Sequence, residues 1–142
     1  MDKLSEHFVS TKLDYFYNEL DLNCAEASLK VLSEAFDFDL GQQLFDSASG
    51  MNGAGQFRAQ CGLVEGPLMF MGAYLRSKQL SKDLVKISCQ TFAKEFEANF
   101  GSLLCRDLRP NGFNENDLPY LCSGLSLKAI VFTLNYVSTL DL

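Results

Sequence analysis

Apolar positions recur along this chain at helical spacing, and no segment reads as a strand. Over residues 3–19, Leu4, Phe8, Thr11 and Tyr15 share one face, with Leu13, Phe16 and Leu20 beside it, so a first helix is expected there. Asp21-Leu22-Asn23 interrupts the pattern. Asn23 is a good N-cap, and Glu26 three residues later completes a variant of the capping box. The second helix then carries Ala25, Ala27, Leu29, Val31, Leu32, Ala35 and Phe36 as far as the acidic, aromatic segment 37–39. A shorter helix is expected over 40–49, with Leu44, Phe45 and Ala48 inward and Gly50 as its C-terminal cap.

A glycine-rich loop, 51–60, precedes the central helix, which starts near Cys61 and runs to about Lys78. Its apolar residues are Leu63, Val64, Leu68, Met71, Tyr74 and Leu75. Gly62 and Gly66 are four apart on one face, a spacing that lets a helix or a ligand approach the backbone. Pro67 lacks an N–H, so a kink or a restart near Gly66 is expected. Ser81 caps the next helix, 82–99, whose face is Val85, Cys89, Phe92, Phe96 and Phe100. Gly101 closes it, and Ser102 can cap a short turn holding Leu103, Leu104 and Cys105. Arg109-Pro110-Asn111-Gly112 is a turn. Asp117 is an N-cap candidate and Pro119 falls in the first turn of a last helix, whose stripe is Leu125, Ala129, Phe132, Tyr136 and Leu140. The expectation is one all-α domain over 1–142, a bundle of about five helices with a glycine-rich loop before the central one.

Composition narrows the function classes. At 47% hydrophobic residues the chain can build a core without staples, so its cysteines need another explanation. The net charge is −6 and the basic residues are scattered, which argues against nucleic acid and against an anionic membrane surface. The amino terminus lacks the apolar segment of a signal peptide, and no apolar run is long enough to span a membrane. A cytoplasmic location is therefore expected, where clustered thiols are more often metal-binding or catalytic than disulfide-bonded. Five cysteines, an odd number, exclude a fully paired framework.

The chemistry centres on residues 50–66, where Gly50, Gly53, Gly55, Gly62 and Gly66 surround Cys61. Such glycines permit positive φ and close approach. Cys24, Cys61 and Cys122 each fall at or near an expected helix start, and Cys105 lies in a short turn. Helix starts favour thiolate over thiol. No two of these cysteines form a local Cys-x-x-Cys hook, which disfavours a zinc ribbon. Cys89 reads as a small core residue, and His7, the single histidine, as a helix-surface residue. There is no haem-attachment motif.

The ordered motifs resemble those of the C_GCAxxG_C_C family, whose name records an expectation of redox activity. Asn23-Cys24-Ala25-Glu26-Ala27 looks like its first cysteine motif, and Gly50 to Gly55 its glycine-rich segment. Cys61-Gly62-Leu63-Val64-Glu65-Gly66 resembles the central motif, with Leu63 where the family usually has alanine. Phe100-Gly101-Ser102 followed by Cys105-Arg106-Asp107-Leu108 resembles the third motif, and Cys122 fits the fourth cysteine. The resemblance runs from Asn23 onward; Cys89 has no counterpart in it. Some relatives are joined to c-type haem segments and are thought to hold an iron–sulfur centre; only the thiol site carries over to this chain.

Several functions fit these residues. In the first, Cys24, Cys61, Cys105 and Cys122 ligate an iron–sulfur cluster or zinc, and the protein transfers electrons to a redox partner or delivers the metal. In the second, Cys24 or Cys61 is the attacking thiolate of a dithiol/disulfide oxidoreductase. In the third, Gly53, Gly55, Gly62 and Gly66 cradle a small ligand such as a phosphate, helped by Arg58, although neither a P-loop nor a Rossmann context is present. A helical interaction protein with incidental cysteines is the plainest alternative, and association of like chains is left open. Glu65 and Asp107 flank the cysteine motifs and could move protons, but read first as solvated or capping carboxylates; Arg106 reads as a surface residue or a partner for Asp107.

Overall fold

A computed structural model describes residues 2–109, 123–140 and 142. Among these the structure is all-α: α1 (Glu6–Asn18), α2 (Cys24–Ala35), α3 (Gln42–Ser47), a 3-10 turn (Ala48–Gly50), the single turn α4 (Gly53–Gln56), α5 (Gly62–Ser77), α6 (Lys82–Phe100), the short α7 (Cys105–Leu108) and α8 (Ser123–Thr139). No described helix is long and apolar enough to cross a membrane.

The helix starts follow their capping residues. The Ser5 hydroxyl accepts from the Phe8 N–H at 3.1 Å, and that of Ser81 from Leu84 at 3.2 Å. The expected box at α2 is complete: the Asn23 side chain accepts from the Glu26 N–H at 2.8 Å, and the Glu26 carboxylate from the Asn23 N–H at 2.9 Å. Gly101 ends α6 with φ +92°, a left-handed cap that suits glycine.

α2 and α5 form the most extensive helix pair, and α8 packs against α1, α2 and α5. Leu29, Val31, Leu32, Leu63, Val64, Phe70 and Met71 meet in the core with little or no exposure. Phe36, Phe38, Phe70 and Tyr74 close one end; Phe70 and Tyr74 stack at 5.0 Å between ring centroids. Phe92 and Phe96 attach α6 to Phe132 and Tyr136 of α8, and the Tyr136 hydroxyl donates to the Ser88 carbonyl at 2.6 Å.

Three expectations are corrected, and that for Pro67 is narrowed. The buried face of α1 is Phe8, Val9, Leu13, Phe16 and Tyr17, and Tyr15 is 51% exposed. Two apolar faces overlap at Phe8, and the bundle covers the one without Thr11. The segment 40–49 is not one inward-facing helix: α3 buries no residue, and Ala48 is buried only after the chain tightens into the 3-10 turn that contains Gly50. α5 runs through Pro67 without restarting. The stripe on α8 is broader than expected, with Ser126, Ala129, Ile130, Thr133, Leu134 and Val137 buried, because helices lie on several sides of it. The turn at 110–112, the cap at Asp117, Pro119 and Cys122 lie outside the described residues.

Candidate thiol site

Cys24 is the first residue of α2, half-buried. Asn23 fixes that helix start, and its amide also donates to the Ser49 carbonyl at 3.0 Å, tying α2 to the 3-10 turn. The Ser28 hydroxyl donates to the Cys24 carbonyl at 2.6 Å. The chain therefore enters the site at a fixed angle.

Cys61 is the N-cap of α5, its sulfur accepting from the Leu63 N–H at 3.4 Å. The backbone before it is paired with the segment that carries Cys105. The Cys61 N–H donates to the Leu103 carbonyl at 2.9 Å, and the Cys105 N–H to the Ala59 carbonyl at 2.7 Å, around an antiparallel bridge between Gln60 and Leu104. Side chains alternate along such a pairing, so Cys61 and Cys105 sit diagonally on one side of it. Both are buried, each 5% exposed.

The glycines do two different jobs. A Cβ on Gly62 would lie 2.8 Å from the Ala25 nitrogen and 3.0 Å from the Cys24 Cβ; one on Gly66 would lie 2.7 Å from the Ala25 carbonyl oxygen. At both positions the space beside the backbone is filled by α2 rather than left to a cofactor. Their absent side chains bring the start of α5, with Cys61, against the start of α2, with Cys24. Gly53 and Gly55 belong to α4, where Gly53, Ala54, Gly55 and Gln56 have φ of +67°, +56°, +70° and +66°. This one turn is left-handed, and glycine at two of its positions limits the steric cost. Gly53 is buried, and a Cβ there would touch the Cys105 Cβ at 3.5 Å; Gly55 is exposed with open space beside it.

The three thiols act on one another. Burial, then the neighbouring Cys24, push the Cys61 thiol up to about 12, with Cys105 and Glu65 adding to the rise and the Leu63 N–H opposing it. Burial and Cys24 raise Cys105 too, while Arg109 and Arg58 pull it back. Arg58 is fixed there: its guanidinium donates to the Arg109 carbonyl at 2.7 Å and the Arg106 carbonyl at 3.3 Å. Glu65 is raised by burial against an opposing hydrogen bond from the Gln60 amide. Asp107 is exposed and accepts from the Ser102 hydroxyl at 2.7 Å, a local capping contact. Arg106 and His7 are exposed.

Cys24, Cys61 and Cys105 are thus gathered from three distant parts of the sequence. Among the described residues no group of three or more His, Cys, Asp or Glu side chains is arranged to hold a metal ion. The donors are soft enough for iron–sulfur or zinc, and the fourth of them, Cys122, lies outside the described residues. Cys89 is apart from the cluster, half-buried on α6 beside Tyr136; burial raises its thiol.

Sequence reasoning missed Tyr17 and Ser126. The Tyr17 hydroxyl reaches the Cys24 sulfur at 3.5 Å and the Ser126 hydroxyl at 2.8 Å, joining α1, α2 and α8 at the site. A tyrosine seven residues before a helix-opening cysteine is the only trace of this in the sequence; Ser126 left none. Arg58, named above only as a helper in the phosphate reading, has its guanidinium engaged by backbone carbonyls and flanks Cys105.

The glycine contacts between α2 and α5 bring thiols at helix starts together, which makes this an all-α, cysteine-centred domain. The model of the family described as "putative redox-active protein (C_GCAxxG_C_C)" matches residues 22–136, and the chain belongs to that family. No curated protein and no solved structure matches it.

Proposed function

We propose that this protein is a thiol–disulfide redox protein in which Cys24 is the attacking thiol and Cys105 the resolving one. One observation carries the reading: three thiols influence one another, yet only Cys24 has appreciable exposure. Cys61 is buried and held protonated at neutral pH, so it serves as the cap of α5 rather than as a nucleophile. Arg58 and Arg109 favour the thiolate of Cys105 over that of Cys61.

The exchange runs against a disulfide of a partner molecule. The Cys24 thiolate attacks one partner sulfur, forming a mixed disulfide and releasing the other sulfur as a thiolate. The Cys105 thiolate then attacks the Cys24 sulfur, closing a Cys24–Cys105 disulfide and releasing the second partner thiolate. Two electrons have moved to the partner, and the two protons lost by Cys24 and Cys105 go to its thiolates. The reverse sequence oxidises a partner dithiol.

The test is anaerobic purification, metal analysis and visible absorbance, then oxidation by a small disulfide with peptide mapping. The expected protein is metal-free, loses two thiols on oxidation and yields a peptide joining Cys24 to Cys105; Cys24→Ser abolishes that loss. Stoichiometric iron and sulfide, or zinc, held by thiols that resist oxidation would overturn this reading in favour of a metal centre.

A further inference from the structure

The Tyr17 side chain has a role that the thiol chemistry alone does not assign. Tyr17 is 3% exposed and Ser126 fully buried. Their hydroxyls are 2.8 Å apart, and the phenol is directed at the Cys24 sulfur at 3.5 Å. A phenol between a serine hydroxyl and a thiol can carry its proton in either of two senses. When Cys24 is a thiolate, Ser126 donates to Tyr17 and Tyr17 donates to sulfur. When Cys24 is a thiol, the S–H can donate to Tyr17 and Tyr17 to Ser126.

We propose that Tyr17 is a positioning residue that donates a hydrogen bond to the Cys24 sulfur in its thiolate form, with Ser126 orienting the phenol. This rests on Cys24 being the attacking thiol. Three elements contribute: α1 supplies the donor, α2 the sulfur and α8 the orienting hydroxyl. Among the described residues, the thiols that act on Cys24 include Cys61 at the start of α5, itself influenced by Glu65, and Cys105 on α7, itself influenced by Arg58 and Arg109. Additional thiolates there oppose ionisation of Cys24, and a donated hydrogen bond offsets part of that opposition without adding charge.

The experiment measures the rate of Cys24 alkylation by iodoacetamide against pH, with the site identified by peptide mass. Tyr17→Phe keeps the ring and removes the hydroxyl. Its midpoint for Cys24 is expected to rise by about one pH unit, the size of one hydrogen bond, with the limiting rate at high pH unchanged. Ser126→Ala is expected to shift the midpoint in the same direction by less. A folded Tyr17→Phe protein with the wild-type midpoint overturns the proposal, because loss of packing alone would not reproduce a pH shift. Should Tyr17→Phe fail to fold, the wild-type protein carrying a ring-carbon label at tyrosine decides. Methylthiolation of Cys24 must displace the Tyr17 resonance, and no displacement overturns the proposal. The alkylation profile is read without any disulfide forming. A wild-type protein that never forms the Cys24–Cys105 bond but shows the Tyr17 shift therefore overturns the exchange reading alone.

Discussion

The absent side chain of Gly66 lets α5 rest on the Ala25 backbone: a Cβ at Gly66 would stand 2.7 Å from the Ala25 carbonyl oxygen and 2.9 Å from the Ser28 Cβ. Backbone atoms cannot rotate aside, so adding even a methyl group must part the two helices that carry Cys24 and Cys61. Gly66→Ala is expected to destabilise the fold by about 1–3 kcal/mol, the range for overpacking, despite the better helix propensity of alanine. Gly72→Ala is the internal control. Nothing lies within 4 Å of its Cβ position, so the same substitution should be neutral or stabilising by up to about 1 kcal/mol. Thermal unfolding of the two variants reads the difference; equal midpoints would show that α2 and α5 do not meet as described.

Cys61 makes stability depend on alkaline pH. Its thiol rises from 9.0 to about 12 on folding, so the unfolded chain loses this proton first. Between about 9 and about 12 the folded state binds more protons, and stability must fall as pH rises through that window. Below 9 both states are protonated at Cys61, and this residue contributes no pH slope. Denaturant midpoints of the reduced protein across that range should decline, and Cys61→Ala should flatten the decline. A slope unaltered by Cys61→Ala would place its origin elsewhere, Cys105 first among the alternatives because its thiol is also raised.

The outline of the molecule was legible because local rules and tertiary packing agree at its helix ends. Asn23 with Glu26, Ser81 and Gly101 act as their types predict. Gly62 and Gly66 announced a close approach, but a glycine pair cannot say what approaches; only the fold shows that it is Ala25 rather than a ligand. The α1 face was misjudged because Phe8 belongs to two overlapping stripes, and the choice between them is made by packing against α8, remote in sequence, and against α2, the next helix. Cys24, Cys61 and Cys105 could be nominated by position. Their mutual influence, and the Ser126 hydroxyl that meets Tyr17 from α8, depend on contacts over long separations that no local pattern encodes.

Arg58 links the glycine-rich loop to Cys105 by structure and by charge. Its guanidinium holds two carbonyls of the α7 segment, at 2.7 and 3.3 Å, from a residue with φ +66°. Arg58→Gln removes the positive charge that draws the Cys105 thiol down. The alkylation midpoint of Cys105 should therefore move up, while that of Cys89, on α6, stays fixed. Arg58→Lys should restore much of the charge effect but not the two-carbonyl grip, since an ammonium lacks the planar fork. A Cys105 midpoint unmoved in Arg58→Gln would mean that Arg109 alone supplies the positive field.

Leu63, two residues after Cys61, is 1% exposed in the core. Its N–H also caps against the Cys61 sulfur at 3.4 Å, a contact made by backbone and so retained on substitution. Leu63→Ala should cost about 2–5 kcal/mol by leaving a cavity among neighbours already sized for leucine. If Leu63 shields the buried thiol two residues before it, Cys61 should then become easier to reach. Two measurements check this: the unfolding midpoint, which should fall, and the alkylation rate of Cys61 at fixed pH, which should rise. A fall in stability without a gain in Cys61 reactivity would show that Leu63 supports the core but does not shield the thiol.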